Sequence, residues 1–135
     1  MKKLFFLMVA IMISATTTFG QATDLFISEY AEGSSFNKYI EIYNGTGATV
    51  DLTIYELKIG SNGNPMENAI TLEGTLEDGS VYVVSHAQAS DEILAIANLT
   101  SRSVINFNGN DAMGLFKDGI LIDVIGVEGE NPGDA

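Results

Sequence analysis

From Asp24 onward, short runs of aliphatic, β-branched and aromatic residues alternate with turns rich in Gly, Asn, Asp and Ser. Within the runs the apolar positions recur every second residue, the pattern of strands with one buried face. The spacing predicts strands at Leu25–Tyr30, Tyr39–Tyr43, Val50–Ile59, Ala69–Leu72, Ser80–Ser85, Ser103–Asn106, Met113–Lys117 and Ile120–Ile125. Asp118-Gly119 is a two-residue hairpin signal, because both positions tolerate φ > 0. Asp78-Gly79 makes the same case more weakly, and Asn44-Gly45 and Asn62-Gly63 mark further turns, with Pro65 closing the second. One segment departs from period two. Ser90-Asp91-Glu92 followed by Ile93, Ile96 and Ala97 reads as a capped short helix whose apolar side packs on the sheets as a crossover. The expected fold is an all-β sandwich or barrel with one short crossover helix.

The N-terminus follows another rule. Lys2 and Lys3 precede an apolar stretch from Leu4 to Ile13 and a small, polar exit at Ser14–Thr18. That arrangement is too short to span a bilayer and matches a secretory signal peptide. We expect residues 1–20 to be the leader, cut after Gly20 or Ala22, residues 24–128 to be the domain, and 129–135 to be a C-terminal tail, either truncated or ending there. Export implies a secreted or cell-envelope protein with no stable membrane insertion after cleavage.

Composition narrows the function classes. A chain of 135 residues with 46% hydrophobic content has room for one cored domain. The absence of Cys excludes disulfides, thiol nucleophiles and thiolate metal sites. The net charge is −12; loss of Lys2 and Lys3 leaves Lys38, Lys58, Arg102 and Lys117 against 18 acids, hence −14. Such a charge argues against a nucleic-acid partner, since phosphate binding runs on Lys and Arg.

Nucleophilic catalysis has little to work with. The single His, His86, follows Ser85 at a strand end, where adjacent side chains point to opposite faces; we expect His86 on the surface. Oxygen-rich clusters bring calcium into view. Asn106, Asn108, Asn110 and Asp111 imitate the start of a calcium loop, but Asp111 stands where that loop needs Gly and Lys117 where it needs Glu. Glu29, Glu32 and Glu41 are the other weak metal candidates, with Glu29 and Glu41 on successive strands. We weigh them chiefly as architectural residues, with Asn37 and Asn44, that hold the first hairpin through loop hydrogen bonds. A carbohydrate site would fall on a Tyr39/Tyr43 stripe, among Tyr30, Phe36, Tyr55 and Tyr82, several of which the core will claim. Asn44-Gly45-Thr46 and Asn98-Leu99-Thr100 match the glycosylation sequon by chance.

Two runs carry a family likeness. The first is Leu25-Phe26-Ile27-Ser28-Glu29-Tyr30-Ala31-Glu32-Gly33-Ser34-Ser35-Phe36-Asn37-Lys38-Tyr39-Ile40-Glu41-Ile42-Tyr43-Asn44. The second is Phe107-Asn108-Gly109-Asn110-Asp111-Ala112-Met113-Gly114-Leu115-Phe116-Lys117-Asp118-Gly119 with Ile122-Asp123-Val124-Ile125-Gly126. Together they resemble the lamin-tail domain, in the bacterial branch found in secreted proteins of Bacteroidetes type. The resemblance implies an immunoglobulin-like β-sandwich with Glu29, Asn37, Glu41, Asn44, Asn108, Gly109, Asp111, Asp118 and Gly119 as motif residues. It departs after Pro132-Gly133-Asp134-Ala135, where relatives continue through a Trp into another strand pair. A missing last strand would leave an open sheet edge. The expected function is a non-catalytic adhesion or protein-interaction module that uses no cofactor and binds through the Glu32–Asn37 and Ser61–Asn68 loops or that edge. The alternatives are an accessory domain of an extracellular nuclease or phosphatase, and a calcium- or carbohydrate-binding sandwich.

Overall fold

A computed structural model describes residues 20–133; the leader, Gly20 apart, lies outside the described residues. The elements run β1 (Phe26–Glu32), β2 (Lys38–Tyr43), β3 (Val50–Asp51), β4 (Tyr55–Gly60), β5 (Asn68–Thr71), β6 (Thr75–Leu76), β7 (Val81–Ser85), α1 (Asp91–Leu94), β8 (Leu99–Thr100), β9 (Ala112–Lys117) and β10 (Ile120–Ile125). Two four-stranded sheets, ordered β1-β2-β7-β8 and β10-β9-β4-β5, form the sandwich, and β3 pairs with β6 beside it. The fold is mostly β with little helix, as expected for an immunoglobulin-like sandwich.

Alternation does the sorting. Ile40 and Ile42 of β2 lie opposite Val84 and Tyr82 of β7 and are fully buried, while Tyr39, Glu41 and Tyr43 take the outer side. Leu57 and Ile59 of β4 lie opposite Leu115 and Met113 of β9 and supply the other half of the core. Each such aliphatic side chain contributes roughly 1.5–3 kcal/mol on full burial. Phe107 closes the core under Tyr30, ring centroids 4.3 Å apart.

Where the structure departs from the periodicity, a polar side chain has captured the backbone. The single strand expected over Val50–Ile59 is broken by one 3-10 turn at Leu52–Ile54. Asp51 accepts hydrogen bonds from the Thr53 amide (2.9 Å) and hydroxyl (2.8 Å), turning the chain so that Leu52 enters the core. Ser103–Asn106 is not a strand either. Ser101 Oγ accepts from the Val104 amide, which holds a local bend, and Val104 and Ile105 are buried without a ladder.

Its place in the sheet goes to β8, which pairs parallel to β7, Val84 against Leu99. Asn98 starts that pairing: its amide donates to the Val83 carbonyl and its Oδ1 accepts from the Val83 amide, both at 2.8 Å. Helix α1 lies in this crossover, but it is a single turn and the Ser90 side chain makes no cap bond. The packed face expected of it forms in part: Ile93 and Ala97 are half-buried, while Ile96 is 57% exposed.

Asp118 (φ 48) and Gly119 (φ 77) form the β9–β10 turn. Asp78-Gly79 is a turn but no hairpin, because β6 and β7, which it joins, belong to different sheets. Side chains tie the sandwich edges together. On one side Asp123 of β10 accepts from the Ile27 amide of β1 at 2.7 Å, next to bulges in both strands. On the other, the Asn68 amide of β5 donates to the Ser103 carbonyl.

Candidate functional site

The outer face of the first sheet brings together residues that the sequence singled out. Glu29 and Glu41 are direct register partners across β1 and β2. Ser28, displaced by the β1 bulge, donates to Glu41 Oε1 at 2.8 Å, and the Tyr39 hydroxyl donates to Glu29 Oε1 at 2.8 Å. The bond to Glu29 raises the Tyr39 phenol above its ordinary value. Beside the carboxylates runs an apolar row, Phe26–Tyr43–Val81, one residue from each of three neighbouring strands. Phe26 and Tyr43 meet at 5.5 Å, while Phe26 and Val81 stay 38% and 42% exposed. Sequence reasoning missed Phe26 and Val81; their signal is an apolar residue in phase with the polar side of its strand.

Glu32 belongs elsewhere. Strand alternation sends it to the other side of β1, where it accepts from the Tyr30 hydroxyl (3.2 Å) and lies 3.7 Å from Lys38 Nζ. Glu29, Glu32 and Glu41 therefore do not converge, and among the described residues no three His, Cys, Asp or Glu side chains gather as a metal set.

The other motif residues sit at loops and turns. Asn37 Oδ1 accepts from the Ser90 amide, tying the first hairpin loop to the crossover. Asn44 is fully buried; its Nδ2 donates to the Ala48 and Leu76 carbonyls and its Oδ1 accepts from the Thr46 amide and hydroxyl. With its amide nitrogen so placed, the first sequon is a loop clamp. Lys117, beside the Asp118-Gly119 turn, reaches Asp24 at 2.7 Å, and Asp24 also accepts from the Tyr55 hydroxyl. Burial opposes the Asp24 charge, but Lys117 and Tyr55 outweigh it and hold the carboxyl below its ordinary value.

At one end of the sandwich, Asp111 uses both carboxylate oxygens as an architectural clamp. Oδ1 accepts from the Asn62 amide and Oδ2 from the Asn108 amide, at 2.8 and 3.0 Å. Asn108 and Gly109 are exposed and shape the turn. Asn110 is buried and donates to Asn62 (3.0 Å) and Asn131 (3.4 Å), a linkage invisible in the sequence because the three loops meet only in the fold. A shallow hollow of about 190 Å³ lies between Gly109–Asp111 and Gly126–Pro132.

His86 corrects the surface expectation: it is 2% exposed. Phe36 stacks on its ring at 4.4 Å, nearly parallel, and Nδ1 accepts from the Gln88 amide. Burial, with Arg102 and Lys38 nearby, lowers its pKa from the ordinary 6.5. Ser85 is buried as well, its hydroxyl turned to the His86 carbonyl at 3.4 Å.

The fold and the two motif regions define an all-β sandwich module. The family model described as Lamin Tail Domain matches residues 19–129, and the chain belongs to that family. No curated protein matches the chain.

Proposed function

We propose that this lamin-tail domain is an exported, non-catalytic module that binds a protein or cell-surface partner, in the manner of the bacterial secreted branch. The observation that carries the reading is the outer face of the first sheet, where Phe26 and Val81 are exposed around a half-buried Tyr43, beside two carboxylates. Exposed aromatic and aliphatic side chains within a polar rim are the composition of recognition surfaces. The state of the hydroxyl and imidazole supports a non-catalytic role: Ser85 is buried against backbone and His86 is locked between Phe36 and the Gln88 amide. No metal or cofactor is assigned to the module. No helix among the described residues is long and apolar enough to cross a membrane.

The test has two arms. The protein is assayed for DNase and phosphatase activity with calcium and magnesium present, and the expected result is no turnover. Intact mass of the native protein from cell envelope and culture medium reports export, with a chain beginning at Gln21 or Thr23 as the expected result. Turnover abolished by a Glu29 or Glu41 substitution would overturn the non-catalytic reading.

A further inference from the structure

The two sheets carry similar ingredients on their outer faces, but only one face supplies its own cation. On the second sheet, Lys58 lies 4.6 Å from the Phe116 ring centroid and 3.2 Å from Glu56. An ammonium over an aromatic ring and beside a carboxylate satisfies both groups. On the first sheet, Glu29 and Glu41 face each other in register, with Tyr39 and Tyr43 beside Glu41 on β2. Neither carboxylate forms an ion pair among the described residues. Like charges directly opposite each other on a sheet are unfavourable. Lys38, Lys58 and Lys117 are held by Glu32, Glu56 and Asp24, so none of them reaches this face.

From this pairing we infer that the outer face of the first sheet docks a cationic peptide segment of a partner protein, one that alternates Lys or Arg with apolar side chains. The inference rests on the interaction-module reading and adds the chemistry of the partner. A basic side chain sits between Glu29 and Glu41, with its stem along Tyr39 or Tyr43, as Lys58 sits between Glu56 and Phe116. Neighbouring apolar side chains of the segment cover Phe26 and Val81. Facing carboxylates favour this occupant over an uncharged glycan, which would leave their charge uncompensated. A second copy of this acidic chain would bring further negative charge to the same place.

The experiment titrates the whole protein into a fluorescein-labelled peptide of alternating Lys and Leu and follows anisotropy. A peptide with Glu for Lys is the control. The Glu29→Gln/Glu41→Gln variant keeps acceptors for Tyr39 and Ser28; it is expected to weaken binding at least about tenfold, with added salt weakening the wild type similarly. Glu67→Gln/Glu73→Gln removes the same charge beside β5 of the second sheet and is expected to bind as the wild type does. Glu41→Lys is a second variant, expected to abolish binding, and circular dichroism confirms that each variant is folded. Equal loss in both double variants would mean general attraction to an acidic protein and overturn the inference. Retained binding in Glu29→Gln/Glu41→Gln would also overturn the surface assignment, while leaving the module reading intact. Binding of a neutral oligosaccharide in place of the peptide would overturn the partner chemistry. Failure of the module reading shows separately, as turnover in the nuclease and phosphatase assays.

Discussion

The outer faces of the two sheets differ in how completely the chain satisfies them. On the second sheet, Gly114 lets Met66, Phe116 and Leu121 close over β9, where a Cβ would lie 2.7–2.9 Å from atoms of all three. Lys58 bridges Phe116 and Glu56 on that surface. On the first sheet, Glu29 and Glu41 are held only by neighbouring hydroxyls, and Phe26 and Val81 are 38% and 42% exposed. Leu121 and Val124 stay 41% and 40% exposed on the second face, much as Phe26 and Val81 do on the first. What separates the two is the cation that the second supplies for its own carboxylate, and in that electrostatic sense it is finished and the first is open. Substitutions on the finished face should therefore cost stability, and those on the open face should cost binding.

The largest stability effect falls on the finished face. Gly114→Val pushes aside the side-chain ends of Met66, Phe116 and Leu121 and is expected to cost about 1–2 kcal/mol in urea unfolding. A loss below about 0.5 kcal/mol would show that this face is not packed as described. Lys58→Met keeps the aliphatic stem and removes the charge; its expected cost is about 0.5–1 kcal/mol, measured the same way and shrinking with salt.

A pH series separates either face from the buried His86. Its folded pKa lies below the ordinary 6.5, so the unfolded chain binds the extra proton first as pH falls. The His86 contribution is intact above 6.5 and is lost progressively as pH drops from there toward the lowered folded value. Asp24, with its lowered carboxyl pKa, acts in a separate window: its contribution is present above the ordinary 3.8 and fades as pH falls through the folded value. His86→Gln should flatten the upper part of the melting-temperature profile and leave the lower part in place. An unchanged upper limb would contradict the buried imidazole.

The smallest stability effect belongs to the open face. Glu29→Gln/Glu41→Gln removes two like charges in register and should change stability by no more than about 0.5 kcal/mol, toward greater stability. A large loss in urea unfolding would make these carboxylates structural and erase the contrast between the faces.

The legibility of this molecule followed the range of each interaction. Period-two alternation placed β2, β7 and β9 and assigned Ile40 and Ile42 to the core, because burial on one side of a strand is a local pattern. Asp118-Gly119 was equally readable, since its positive φ values follow from residue type. The break at Asp51–Ile54 and the bend at Ser101–Val104 escaped because a single carboxylate or hydroxyl outcompeted a β-branched run for the backbone. The burial of His86 depends on Phe36, fifty residues earlier by sequence number, stacking on its ring. The contrast between the outer faces was least legible of all. Glu29 and Glu41 were visible as candidates, but the missing cation is evident only beside the Lys58 arrangement of the other sheet.

The most direct measurement of the central claim is a residue-resolved map of the bound segment. The 15N-labelled protein is titrated with the alternating Lys-Leu peptide, and amide shift changes are followed across both sheets. The account predicts changes concentrated on β1, β2 and the start of β7, centred on Phe26, Glu29, Glu41 and Val81, with β4 and β9 unmoved. Changes centred on Lys58, Phe116 and Leu121, or spread evenly over the acidic surface, would contradict it.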